Sequence, residues 1–158
     1  MNKSVSFVTT VHNRLWQLKQ TLPANIKEVR GREADIVILA FNDPTVKPYI
    51  EDTYPEEVID GLIKIFEYNG PEEFSCGLAK NKAHALATGE ILFNLDADNF
   101  ICNAFYHLQS LKENEILKNI PSDDGREGRV GLYRRLYNKT IGYQNEGSIK
   151  QQQLLQQK

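Results

Sequence analysis

The stretch "LATGEILFNLDADNF", residues 86 to 100, determines the fold expected for this chain. A nearly continuous apolar run fills its middle, and two aspartates one residue apart, Asp96 and Asp98, follow that run directly. Short apolar runs of this kind are typical of strands covered on both faces, as in a parallel sheet. We expect a turn at Ala97 to bring the two carboxylates to one site. The sequence therefore predicts a buried strand that presents carboxylates at its carboxyl end.

Three further segments, rich in β-branched and aromatic residues, are predicted to be strands of the same sheet. The four predicted strands span residues 5 to 11, 34 to 41, 62 to 68 and 90 to 97. Helical candidates lie between them, at residues 14 to 28 and 77 to 89. Alternating strands and helices imply right-handed crossovers. The expected architecture is a single α/β domain with a mainly parallel, Rossmann-like sheet flanked by helices.

Proline and glycine positions refine the two helices. Pro23 is expected to kink or divide the first helix, and Gly89 lies where the C-cap of the second belongs. Further along, residues 104 to 120 are predicted to be helical, 121 to 128 a loop, and 129 to 146 a short strand followed by a helix. The Gln-rich tail, residues 147 to 158, is expected to fray or to pack weakly on the surface or against a neighbouring subunit. We therefore predict one domain over residues 1 to 146, followed by that tail.

Composition and charge limit the class of partner. The chain has 158 residues, and its 19 basic and 21 acidic side chains give a formal charge of -2. No global field favours nucleic acid or an anionic membrane surface, so an anionic ligand must be held locally. Cys76 and Cys102 have no metal-type spacing and are expected to be reduced thiols. The amino terminus contains neither a signal-peptide core nor a spanning segment, which predicts a cytoplasmic protein.

Polar side chains follow three of the four predicted strands. The strand-end segments read "TTVHNR" (9 to 14), "FNDPT" (41 to 45) and "LDADNF" (95 to 100). In open parallel sheets ligands bind beyond the carboxyl ends of the strands. The Asp96 and Asp98 pair can hold a hard divalent cation, with one carboxylate on the metal and the other on a bound hydroxyl. The alternative for a lone Asp-x-Asp pattern is a solvated turn or a helix N-cap.

With these residues and spacings the chain resembles glycosyltransferase family 2, whose members have the GT-A fold and use nucleotide-diphosphate sugars. The resemblance covers most of residues 4 to 146; its matching stretches are "VSFVTTVHNRLWQLKQTLP", "ADIVILAFNDP", "GLAKNKAHALATGEILFNLDADNF" and, more weakly, "GRVGLYRRLYNKTIGYQNE". It implies binding of a UDP-type nucleotide sugar with Mn²⁺ or Mg²⁺. It also implies transfer of the sugar to an acceptor hydroxyl, usually with inversion at the anomeric carbon.

The resemblance also implies a role for each matching position. Thr10, Asn13 and Arg14 would lie near the nucleobase, and Asp43 near the uracil or ribose. Asp96 would face the ribose, Asp98 would bind the metal on the diphosphate, and Lys80 would lie beside the diphosphate. No catalytic base is assigned, because the family's Glu-Asp pair would follow "IGYQNE", where this sequence continues with "GSIKQQQLLQQK".

Each of these residues also has a structural interpretation. Thr10 could satisfy a backbone group, Asn13 could cap a helix, Arg14 could extend along its helix, Asp43 could form a turn with Pro44, and Lys80 could lie on a solvated helix face. His12 and His84 are expected to be hydrogen-bonded structural or surface histidines, since neither has a second ligand at metal spacing.

The resemblance leaves the source of the catalytic base and of the acceptor half open, and two rival functions stand beside it. Asp124 or Glu127, in the predicted loop, could substitute for the family's base, or a partner subunit could supply the acceptor half. One rival function is a truncated, non-catalytic domain that binds nucleotide sugars. The other is a metal-dependent nucleotidyltransferase, but such enzymes usually have a glycine-rich phosphate loop after the first strand, and "TTVHNR" contains no glycine.

Overall fold

A computed structural model describes residues 2–118 and 129–144 of the chain. In chain order its elements are β1 (Val5–Val11), α1 (Leu15–Val29), β2 (Ala34–Phe41), α2 (Val46–Thr53), α3 (Pro55–Ile59), β3 (Ile63–Tyr68), α4 (Cys76–Leu86), β4 (Ile91–Leu95), α5 (Ala104–Leu108), β5 (Ile116–Lys118), β6 (Arg129–Tyr133) and α6 (Arg134–Tyr137). The predicted strands at 5 to 11 and 34 to 41 have the predicted bounds. The other two are shorter, at Ile63–Tyr68 and Ile91–Leu95.

The strands form one six-stranded sheet in the order β3-β2-β1-β4-β6-β5. β1 pairs in parallel with β2 on one side and with β4 on the other, and β2 pairs in parallel with β3. β6 runs antiparallel to both β4 and β5. The predicted mainly parallel α/β sheet is therefore confirmed, with an antiparallel extension beyond β4.

Alternate side chains of the central strands pack on opposite faces of the sheet, as the strand period of two requires. On one face Phe7 and Phe93 belong to the larger core cluster, which includes the buried stripe of α1. On the other face Val8, Val37 and Leu92 pack in a smaller cluster with Ala83 of α4 and Ala87, its C-cap. Because helices cover both faces, the central strands are apolar almost throughout.

The bounds of α1 and α4 decide between the alternatives for Pro23 and correct the prediction for Gly89. Pro23 does not divide the first helix, since α1 continues through it to Val29. Gly89 is not the C-cap of α4, because the cap is Ala87 in an extended conformation. A Cβ atom at Gly89 would lie 2.5 Å from the backbone nitrogen of Ser6, so the glycine is required by close approach of the chain to β1.

The region from 104 to 120 was predicted to be one helix, and this is wrong for its described part. Helix α5 ends at Leu108, and Ile116–Lys118 forms the edge strand β5. A turn separates them, in which the Glu115 N–H donates to the Lys112 carbonyl oxygen at 3.0 Å. Pairing with β6 explains the difference, because a long-range partner overrides local helix propensity. The short helices α2 and α3 were not predicted.

Candidate functional site

The sheet order reverses at β1, which has β2 on one side and β4 on the other. A crevice at the carboxyl ends of the strands forms at such a reversal and is the usual ligand site of open α/β sheets. Residues 12 to 14, 42 to 45 and 96 to 101 follow β1, β2 and β4 and lie at this edge. The predicted site residues are thus brought to one edge of the sheet.

Asn13 and Asp43 join the ends of β1 and β2. The Asn13 N–H donates to Asp43 Oδ2 at 2.9 Å, and Asn13 has a left-handed backbone with a φ of 56°. Asp43 Oδ1 accepts from the Thr45 N–H at 3.1 Å and from its hydroxyl at 2.6 Å. Asp43 is only 3% exposed. The carboxylate therefore holds the two strand-end turns together, and the asparagine is not the N-cap of α1.

The environment of Asp43 favours its charged form. Burial alone would raise the pKa of Asp43, but hydrogen bonds from Thr45 and Asn13, with a smaller electrostatic contribution from His12, outweigh burial. The pKa of Asp43 is therefore below its usual value. A buried carboxylate with several donors keeps its charge at neutral pH.

The Asp-x-Asp segment forms the predicted turn directly after β4. The Asn99 N–H donates to the Asp96 carbonyl oxygen at 2.9 Å, which closes the turn around Ala97. Ala97 is buried, whereas Asp98 is exposed. Asp98 Oδ1 accepts a hydrogen bond from the Asn99 side chain at 3.0 Å. The strand thus ends immediately before Asp96, and the turn presents the second carboxylate to solvent at the crevice.

Lys80 of α4 lies beside Asp96. Its Nζ is 3.8 Å from Asp96 Oδ1, and the Asn94 side chain donates to the same oxygen at 3.1 Å. The lysine is 4% exposed, so it is not on a solvated helix face. Burial raises the pKa of Asp96 and the charge of Asp98 adds to this effect, while Lys80 and Asn94 act in the opposite direction. The net effect is that the pKa of Asp96 is raised above its usual value.

The aromatic ring of Tyr143 lies beside Lys80. Its ammonium lies 5.5 Å from the centre of the Tyr143 ring. Asn81 fixes this tyrosine, because its side chain donates to the Tyr143 carbonyl oxygen at 2.8 Å and accepts from the Tyr143 N–H at 2.7 Å. Gly142 is required at this contact, since it has a φ of +82° and a Cβ would lie 2.6 Å from Asn81 Oδ1.

His12 and His84 are both hydrogen-bonded to backbone carbonyl oxygens. His84 donates from Nδ1 to the Lys80 carbonyl oxygen at 2.8 Å, and its Nε2 lies 3.3 Å from the Tyr143 hydroxyl. Burial lowers the pKa of His84 to about 4. His12 Nδ1 donates to the Phe41 carbonyl oxygen at 2.7 Å, and its ring stacks on Phe74 with centroids 4.8 Å apart.

Phe74 belongs to the β3–α4 loop, which Asn42 ties to the end of β2. The Asn42 side chain donates to the Glu72 carbonyl oxygen at 3.0 Å and accepts from the Gly70 N–H at 2.9 Å. This loop therefore lies against the ends of β1 and β2.

The donor set at this edge suits a hard divalent cation that shares its coordination with a ligand. Asp96 and Asp98 supply carboxylate oxygens, and the described residues contain no group of three or more His, Cys, Asp or Glu able to hold an ion. Mg²⁺ is commonly bound by one or two carboxylates together with substrate phosphates and water. The residues present fit such an ion, provided that a diphosphate completes its coordination.

Not every predicted residue is engaged in this network. Within residues 2–118 and 129–144, the side chains of Thr10 and Arg14 make no hydrogen bond or ion pair with the other predicted site residues. Thr10 is the penultimate residue of β1, and Arg14 is an exposed N-cap of α1. Asp124, Glu127 and the tail lie outside the described residues, so those predictions stay untested.

Sequence reasoning missed several residues that shape the site. They are Thr21, Asn25, Asn94 and Tyr143. A signal existed for two of them, because Thr21 and Asn25 are polar residues within the apolar stripe of α1.

Solved structures show the same architecture. A mannosyltransferase from Pyrobaculum calidifontis, solved with GDP-Man and Mn²⁺, matches 96% of this chain with a TM-score of 0.73 at 16% identity. The chain has the GT-A fold. Two further GT-A structures, TarS from S. aureus and glucosyl-3-phosphoglycerate synthase from M. tuberculosis, match 90% and 87% of the chain, with TM-scores of 0.62 and 0.63 and identities of 13% and 12%.

At these identities the likeness establishes the GT-A fold and no more. The chain covers 50%, 51% and 60% of the three solved chains, so it spans about half of their length. The synthase has also been solved with Mn²⁺, UDP-Glc and phosphoglyceric acid. No protein-family model matches the chain, and no curated protein matches it.

Two further expectations can be compared with the described residues. None of the described helices is long and apolar enough to cross a membrane. Cys76 and Cys102 are both free and exposed. The cytoplasmic location stays a prediction.

Proposed function

We propose that this GT-A domain binds a nucleotide-diphosphate sugar with Mn²⁺ or Mg²⁺ and transfers the sugar to an acceptor hydroxyl. One observation carries the proposal: Asp96 and Asp98, with Lys80 beside Asp96, follow β4 at the same edge as the Asn13–Asp43 pair, where the sheet order reverses. Both kinds of charge are needed there, because carboxylates bind a metal cation and a lysine attracts the diphosphate anion. The solved GT-A structures with GDP-Man, UDP-Glc and Mn²⁺ support this ligand class.

The nucleoside half of the donor is proposed to lie against the ends of β1 and β2. Thr10, Asn13 and Arg14 would border the base, and Asp43 would lie near the base or ribose. Asp43 Oδ2 accepts a hydrogen bond from Asn13, and a carboxylate oxygen has room for a second donor. The exposed Arg14 is available for a ligand contact. A UDP-type donor is proposed, and GDP-type donors are the first alternative to test.

The diphosphate half is proposed to lie between Lys80 and the Asp-x-Asp turn. Asp98, which is exposed, would bind the metal, and the half-exposed Asp96 would accept from the ribose. A divalent ion bound there supplies Lewis-acid charge that stabilises the departing diphosphate. Lys80 would add positive charge beside the same phosphates, held by Tyr143 on one side and Asp96 on the other. Sugar transfer, proposed to invert the anomeric carbon, also needs a general base; no described residue is assigned to that step.

Thermal melts test the donor site. UDP, GDP and the other nucleoside diphosphates are added separately, with Mn²⁺, Mg²⁺ or EDTA. A ligand at one hundred times its dissociation constant stabilises the fold by about 2.7 kcal/mol, which raises the melting temperature of a domain of this size by about 5–10 °C. The increase should need the metal and should disappear in Asp98→Ala.

Asp60→Ala is the matched control, since Asp60 is an exposed aspartate just before β3, at the opposite edge of the sheet. Melts that no nucleotide changes, with or without metal, would refute the donor site. Release of labelled sugar from a bound donor onto mixed hydroxyl acceptors then tests transfer. A chain that binds donor and never transfers sugar is the non-catalytic binding domain instead.

A further inference from the structure

Helix α1 contains two buried polar residues in the stripe that is otherwise apolar and faces the core. Thr21 and Asn25 lie one helical turn apart between Leu18, Leu22 and Ile26, and both are 3% exposed. Buried polar side chains are costly unless their hydrogen bonds are satisfied. Asparagine and threonine are also weaker helix formers than leucine. Their presence therefore needs a reason in what they contact.

Both side chains bond to the backbone of the Asp-x-Asp turn. The Thr21 hydroxyl donates to the Ala97 carbonyl oxygen at 2.7 Å. The Asn25 side chain donates to the Asn99 carbonyl oxygen at 3.1 Å and accepts from the Ile101 N–H at 2.8 Å. These bonds join positions 74 to 76 residues apart in the chain. They hold the backbone on both sides of Asp98.

Asp98 itself is left exposed at the crevice. Its backbone neighbours are fixed by the helix, while its carboxylate has only the Asn99 side chain as a described hydrogen-bond partner. A ligand carboxylate on a fixed backbone loses little conformational freedom when an ion binds. Outer partners that orient a metal ligand typically change metal affinity by about 10–100-fold when removed.

We propose that Thr21 and Asn25 are positioning residues that set the affinity of Asp98 for a divalent cation. Neither touches the ion. They act by holding residues 97 to 101 in the conformation that presents the carboxylate. The inference rests on the proposed function, because it requires that Asp98 binds metal.

The test measures Mn²⁺ affinity by electron paramagnetic resonance, with UDP present, or GDP if the wild type prefers it. Thr21→Val keeps the shape of the side chain and removes the hydroxyl, and we expect it to weaken Mn²⁺ binding about 10–100-fold. Thr21→Ser retains the hydroxyl and should bind within about threefold of the wild type, since the orienting bond is restored. Asn25→Leu is the second variant, and it should weaken binding in the same direction.

Ser6→Ala is the matched control for loss of a buried hydroxyl. Ser6 is fully buried in β1, and its Oγ accepts from the Gly89 N–H at 2.9 Å, at the edge away from the site. Ser6→Ala should lower the melting temperature as Thr21→Val does, and it should leave Mn²⁺ affinity unchanged. All titrations are made well below the melting temperature of the weakest variant.

The outcomes separate this inference from the proposed function. If the wild type binds no Mn²⁺ with any nucleotide, the proposed function fails and the inference fails with it. If the wild type binds and both Thr21→Val and Asn25→Leu bind equally well, only the inference is overturned. The same holds if Ser6→Ala weakens binding as much as Thr21→Val, because the effect is then one of general stability.

Discussion

Replacing Asp43 by asparagine tests how the nucleoside side of the crevice is built. The carboxylate accepts from the Asn13 N–H at 2.9 Å, the Thr45 N–H at 3.1 Å and the Thr45 hydroxyl at 2.6 Å. In Asp43→Asn one oxygen becomes an NH₂ group, which cannot accept, so a partly buried donor loses its partner. The remaining bonds weaken because the acceptor is no longer charged. Hydrogen bonds to charged groups contribute about 1.5–3 kcal/mol each, so we expect a loss of about 2–4 kcal/mol.

For a domain of this size that loss corresponds to a fall in melting temperature of about 5–15 °C. Asp35→Asn is the control, on strand β2, which leads to the Asp43 turn. Asp35 Oδ2 lies 2.8 Å from Lys64 Nζ, and the lysine and aspartate side chains are 37% and 16% exposed, so the pair is partly exposed and involves one lysine donor rather than three donors. Exposed ion pairs contribute about 0–1 kcal/mol. Urea unfolding of the three proteins at pH 7 measures the difference directly.

The pH dependence has a definite sign. Because the pKa of Asp43 is lower in the folded chain than its usual value, its contribution is fully present above the unfolded value of about 3.9. It is lost as the pH falls from there through the folded value. The advantage of the wild type over Asp43→Asn should therefore shrink in that acid range. If Asp43→Asn unfolds like Asp35→Asn at pH 7, the assigned bonds do not hold the turns.

Three further predictions concern other parts of the molecule. Gly89→Ala should destabilise the fold by about 1–3 kcal/mol from overpacking, because the added Cβ would lie 2.5 Å from the Ser6 backbone nitrogen. A thermal melt equal to that of the wild type would contradict the close approach to β1. The pKa of His84 is lowered to about 4, so its imidazole should stay neutral in NMR titrations down to that pH. Its contribution to stability should decline as the pH falls from about 6.5 towards 4. An imidazole that titrates near pH 6.5 would show that His84 is not buried. Asp98→Asn should lose metal affinity before nucleotide affinity, whereas Asp96→Asn should weaken nucleotide binding and keep some metal affinity. Identical metal titrations of the two variants would refute the two roles.

The strands and the Asp-x-Asp turn could be predicted from the sequence because their signals are local. Apolar runs bounded by polar residues mark β1 and β2, whose observed bounds equal the predicted ones. The turn at Ala97 follows directly from the end of such a run. The carboxylates at the strand end then fall at the crevice for a topological reason, since parallel strands place their carboxyl ends together.

The features that were missed depend on partners distant in the chain. β5 is a strand because it pairs with β6, and nothing local in residues 116 to 118 specifies that partner. Gly89 is required by Ser6, which lies 83 residues earlier. The bond between Asn13 and Asp43 spans 30 residues. Local propensity cannot report such contacts, since tertiary pairing decides them.

Calorimetric titration of UDP and GDP into the wild-type chain, with Mn²⁺ and with EDTA, tests the central claim most directly. The account predicts saturable binding of one of these nucleotides with Mn²⁺, no binding with EDTA, and loss of the metal-dependent binding in Asp98→Ala but not in Asp60→Ala. A flat titration with every nucleoside diphosphate and metal, or the same isotherm with Mn²⁺ and with EDTA, would contradict it.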